Sequence, residues 1–148
     1  MFDQLRNTSN NRLAGILRLL LGLVFVMAGV LKVTVSHLGE AFEGQLAAAE
    51  IPFRELSLST VPFIEMMVGV TLLLGWHTRL SAAGASAIML VATYVHLAAD
   101  DPALFPLQPV ESIGPLMLLA ALLYILWRGG GASSMDLAST KNGPGLSN

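Results

Sequence analysis

The chain has 148 residues, 54% hydrophobic and only 12% charged, with a mean hydropathy of +0.67. That is about half the charge of an ordinary soluble domain, which excludes a water-soluble globule and leaves room for one unit of four membrane helices at ~20 residues each. The absence of cysteine excludes a thiol–disulfide relay. The net charge of −2 says little, whereas the positions of the charges say a good deal.

Four apolar runs are expected to cross the bilayer: 13–35, 61–76, 80–99 and 113–127. They form an all-α, antiparallel four-helix membrane bundle. Residues 1–28 have the basic start and apolar stretch of a signal peptide. The run continues past any cleavage point and no A-x-A site follows, so an uncleaved first helix is expected.

Between the first two runs, Leu38, Phe42, Leu46 and Ala49 recur at helical spacing with Glu40, Glu43 and Gln45 between them. This pattern predicts a short amphipathic helix on the outer surface, broken at Pro52. Pro62 is expected in the first turn of the second span, where proline is tolerated. Only His77, Thr78 and Arg79 join the second and third spans, which must therefore be antiparallel neighbours. The 100–111 connection, with three prolines, is expected to be extended. The Gly-, Ser- and Asn-rich 129–148 segment reads as a disordered cytoplasmic tail. The membrane domain is thus 1–128.

Basic and acidic connections alternate. Arg6 and Arg12 precede the first span, Arg79 follows the second, and Arg128 and Lys141 follow the fourth. The other connections carry Glu40, Glu43, Glu50, Glu55, Asp100, Asp101 and Glu111, with Arg54 as the only clear base. The positive-inside rule then places both termini in the cytoplasm and the acidic loops in the periplasm or at the cell exterior.

Arg18, Gly22, Phe25, Gly29 and Lys32 follow at spacings of 4, 3, 4 and 3 and share one stripe of the first helix. Pro62, Glu65, Gly69, Leu72 and Trp76 form a stripe on the second helix, and Ala82, Ser86, Met89, Thr93 and His96 one on the third. Small residues mixed with polar ones mark the faces that pack against other helices in lipid. A charge in hydrocarbon is expensive unless paired, so Lys32, Glu65 and His96 are the candidate polar intramembrane site, with Arg18 and Arg79 secondary.

Counted at 1.5 Å per residue, Lys32, Glu65 and His96 fall in the outer half of the membrane. In the plain reading Lys32 snorkels to the interface and neutralises Glu65, while His96 caps a helix end. The functional alternative is a polar site open to the outer face that binds a quinone headgroup or relays a proton. Arg18, lower down, is expected to snorkel to phosphate. His37, His77 and His96 cannot supply two ligands at one depth, which argues against an internal haem. No phosphate loop, metal-ligand cluster or nucleophile elbow is present, no catalytic residue is assigned, and nucleic acid is not an expected partner.

The stretch LRLLLGLVFVMAGVLKV, an acidic connection containing Phe42, and VPFIEMMVGVTLLLGWHTRL resemble the DoxX family of small four-helix bacterial membrane proteins. The resemblance rests on Arg18, Gly22, Phe25, Gly29 and Lys32, on Glu65, Gly69 and Leu74, and on Thr78 and Arg79. It extends to HLAADDPALFPLQP and to the ending GGASSMD. It implies a redox-associated membrane subunit, since founding members are small subunits of thiosulfate:quinone oxidoreductase. On that basis the expected function is an accessory protein that docks or assists an oxidoreductase at the membrane. The alternatives are a quinone-contacting electron-transfer subunit and a carrier of small solutes or lipids.

Overall fold

The computed structural model describes residues 10–99, 101–107 and 112–141, and every regular element among them is helical. Helix α1 (Arg12–Thr34) opens on Asn11, whose side chain accepts from Ala14 N–H at 3.1 Å. This is an ordinary N-cap. It ends where the β-branched run Val33, Thr34, Val35 turns extended, at φ −112° for Val35. Helix α2 (Ser36–Ala48) follows at once.

Helix α3 (Arg54–Leu74) begins a full two turns before the expected start, with Pro62 in its interior rather than its first turn. The physical reason lies in the polar residues before the proline. Ser59 Oγ donates to Glu55 O at 3.0 Å and Thr60 Oγ1 to Leu56 O at 2.6 Å. Hydroxyls bonded to the preceding turn are satisfied inside the helix and do not draw the backbone into a competing turn. Gly75 ends α3 with φ +67°, and Trp76 N–H closes the turn on Thr71 O at 3.1 Å.

Helix α4 (Thr78–Ala98) and helix α5 (Ile113–Arg128) complete the bundle. Between them, Pro102–Leu104 forms a single 3-10 turn rather than extended chain, because Asp101 Oδ1 accepts from Ala103 N–H at 2.9 Å. The expected tail is not all loose chain either. Residues 129–134 run back over the bundle and lead into helix α6 (Met135–Lys141).

α1, α3 and α4 are each long and apolar enough to cross a membrane, and α5 is a shorter apolar helix of 16 residues. Their outer faces present Leu20, Leu23, Met67, Leu90 and Met117 to the surroundings. An apolar exterior of this extent belongs in lipid. The helices run up and down, so one end of the bundle carries Arg12, Arg79 and Arg128. The other carries the exposed Glu40, Glu43, Glu50, Glu55 and Asp101.

The tightest seam lies between α1 and α3. A Cβ on Gly69 would stand 2.6 Å from Val26 N and 2.8 Å from Gly22 O, and one on Gly22 would stand 2.9 Å from Leu73 N. Gly29 lies against the Pro62 carbonyl. Backbones this close leave no room for a side chain, which is the packing that small residues permit in lipid. Beside the seam, Phe25, Leu72, Met89, Leu122 and Ile125 form one continuous apolar core.

The expected stripes are the buried ones except at Lys32 and Thr93, which are half-buried, and at Trp76, which lies past the end of α3 and is exposed. Gly69→Val should therefore lower stability in detergent by about 1–3 kcal/mol. Gly84→Ala should raise it by about 0.5–1 kcal/mol, since only Val68 Cγ2 lies within reach of the new methyl, at 3.9 Å. Equal losses in the two melting curves would contradict the seam.

Candidate functional site

Because Gly29 lets α1 approach Pro62 and Met66, Lys32 in the last turn of α1 reaches Glu65 in the middle of α3. Lys32 Nζ donates to both carboxylate oxygens, at 2.6 Å to Oε1 and 2.7 Å to Oε2. Glu65 is almost sealed, with its side chain 4% exposed against 21% for Lys32. The ammonium also lies over the Phe42 ring of α2, 4.6 Å from its centroid. Two of its three N–H bonds are therefore committed to Glu65, and the third is not.

His96 sits in the last full turn of α4 and is buried. Its Nδ1 lies 2.9 Å from Ala92 O. A carbonyl can only accept, so Nδ1 carries the hydrogen. Nε2 is buried and has no partner among the described residues. The ring leans on Phe105 with centroids 4.2 Å apart. His96 thus packs inside its own helix turn and makes no bond to Lys32 or Glu65 among the described residues.

What joins the three residues is a cavity of about 570 Å³ between the helices, with Lys32, Glu65 and His96 all in its wall. This size is in the range of small-molecule sites. Apart from these three, Gln45 and Ser57 are the hydrogen-bonding side chains lining it, and the rest of the wall is apolar. Helix α2 lines it at the acidic end through Leu38, Ala41, Phe42, Gln45 and Leu46. Ala41 and Leu46 of α2 are buried, so its apolar face is spent on the protein interior rather than on a membrane surface. Gln45 was expected on the polar face of that helix. It faces inward instead, and its Nε2 donates to Leu104 O.

Arg18 departs most from expectation. It does not snorkel to phosphate: it is 1% exposed. Its guanidinium donates to the Leu72 and Leu73 carbonyls at the end of α3 and to Gly130 O and Ser133 O of the returning tail. Helix C-termini leave carbonyls unpaired and favour a cation. Arg18 fills both needs and pins the tail to α3.

Asp136, also 1% exposed, does the converse at the start of α4. It accepts from His77 N–H at 3.0 Å, Thr78 N–H at 2.9 Å and Thr78 Oγ1 at 2.8 Å. Ser134 caps α6 through Leu137 N–H at 3.1 Å. Arg79 closes α5, donating from Nη2 to Trp127 O at 3.1 Å. Arg18 and Arg79 are therefore structural residues of the basic end, apart from the cavity. Removing the Asp136 carboxylate should cost about 1–2 kcal/mol, as loss of a helix cap does. Thermal unfolding of Asp136→Ala beside Ser139→Ala, a change at an exposed tail residue, should show the loss in the first alone.

No curated protein and no solved structure matches the chain. The DoxX family model matches residues 13–98, more than half the chain. The matched part spans α1 to α4 and holds Arg18, Lys32, Glu65, Arg79 and His96, while α5 and the returning tail lie beyond it. This chain belongs to the DoxX family.

Proposed function

We propose that the protein is an accessory subunit of a redox system in the bacterial inner membrane, and that its cavity holds a quinone-class headgroup. The single observation that carries this reading is the cavity itself. Apolar side chains form most of its wall, and a few hydrogen-bonding groups, Lys32, Gln45, Ser57, Glu65 and His96, complete it. A quinone is an apolar ring bearing two carbonyls, and its hydroquinone bears two hydroxyls. The third Lys32 N–H would meet a carbonyl, the Gln45 side-chain oxygen would accept from a hydroquinone hydroxyl, and the Ser57 hydroxyl would meet either form. When bound, such a molecule supplies two-electron, two-proton redox chemistry. The residues here bind and orient its ring and shield it from water. Membership of the DoxX family, with its resemblance to thiosulfate:quinone oxidoreductase subunits, supports the redox setting.

In this reading α5 is the fourth span. At 16 residues it is ~24 Å long, and slight thinning of the bilayer accommodates it. Arg12, Arg79 and Arg128 gather at one end, which supports cytoplasmic termini. The acidic end then faces outward and offers Glu40, Glu43, Glu50 and Glu55 to a partner oxidoreductase.

The test is photolabelling of the purified protein in lipid nanodiscs with an azidoquinone. Label should fall on α2 and α4 residues of the cavity wall, such as Leu38, Phe42 and Val95, and excess unlabelled quinone should suppress it. Label confined to the outer residues Leu20, Met67 and Leu90, unaffected by competitor, would overturn the proposal.

A further inference from the structure

The charge inside the cavity wall is balanced by the protein itself. Lys32 is its cation and Glu65 its carboxylate, and the two are bonded to each other through both carboxylate oxygens. The other polar lining residues, Gln45 and Ser57, carry no charge, and His96 engages its own helix through Nδ1. Lys32 is thus not a free counter-ion, and Phe42 covers its ammonium from another side.

An anionic head reaching Lys32 would stand beside the Glu65 carboxylate. Attraction to one member of the pair would be offset by repulsion from the other, and the anion would lose its hydration in an apolar chamber. An uncharged head loses little water, accepts a hydrogen bond from the remaining Lys32 N–H and meets no repulsion. Helices α2 and α3, which supply part of this wall, carry Glu40, Glu43 and Glu55 on their exposed faces against the single cation Arg54, so the net field an anion would meet at that end is negative.

We infer that the cavity selects uncharged amphiphiles with a hydroxyl or carbonyl head and rejects anionic ones, and that Glu65 sets this selection by engaging Lys32. The inference rests on the cavity being a ligand site, and it extends that reading from quinones to a rule about charge. It makes Glu65 a specificity residue rather than a mere partner for a lysine.

Three diazirine probes with one C12 chain test it: an alcohol, a methyl ester and a sulfonate, the last anionic throughout. They are applied to the full chain in phosphatidylcholine nanodiscs, and cavity labelling is read by peptide mass spectrometry. The alcohol and ester should label the wall alike, and the sulfonate about tenfold less or weaker still. In Glu65→Gln, Lys32 is left uncompensated, and sulfonate labelling should rise to at least that of the alcohol.

Equal labelling of the unsubstituted protein by sulfonate and alcohol would overturn the inference while leaving the quinone site standing. Absence of cavity labelling by the azidoquinone and by all three probes would remove both. Continued exclusion of the sulfonate by a folded Glu65→Gln protein would overturn the role given to Glu65. Should that variant fail to melt cooperatively, the ester-to-sulfonate ratio in the unsubstituted protein decides the matter alone.

Discussion

The constraint on which the rest depends is the cost of holding a charge in hydrocarbon. Lys32 and Glu65 meet it jointly: both are tolerable only because each has the other. That pairing requires α1 and α3 to approach more closely than ordinary side chains allow, and Gly22, Gly29 and Gly69 supply the approach. The glycine seam and the ion pair are therefore one device. Adding a methyl group at the seam would separate the charges as well as the backbones.

The two ends of the bundle use polar groups differently. At the basic end polar side chains close helix termini: Arg18 ends α3, Asp136 begins α4, Asn11 begins α1 and Arg79 ends α5. Those contacts fix the helices and the returning tail in place. At the acidic end the polar groups border open space instead, and α2 covers it. A rigid clamp at one end and a covered chamber at the other suit a subunit that holds a ligand between its helices, because the clamp sets the geometry of the chamber wall.

Much of this was legible in the sequence. The 4, 3, 4, 3 spacing of Arg18 to Lys32 gave the buried face of α1, and the matching stripe on α3 put Glu65 opposite Lys32. Less legible were features that depend on a partner far along the chain. The tail composition reads as loose chain, and nothing local says that Asp136 meets Thr78 N–H across 58 residues. The signal that hinted at it was the resemblance of GGASSMD to a family ending. The placement of Arg18 was hidden for the same reason: a lone arginine near a helix start snorkels unless carbonyls from elsewhere arrive to bind it. Pro62 misled because its local rule, a helix start, gave way to the back-bonding of Ser59 and Thr60. Gln45 counted as polar surface until the fold set a chamber beneath α2.

The central claim is that Lys32 and Glu65 are bonded to each other inside the bilayer. Solid-state NMR on the full chain in lipid, with ¹⁵N-lysine and ¹³C-glutamate labelling, measures this as dipolar coupling between Lys32 Nζ and the Glu65 carboxylate carbon. The account predicts strong coupling, as for directly hydrogen-bonded groups, that vanishes in Glu65→Gln. Absence of coupling in the unsubstituted protein would contradict it.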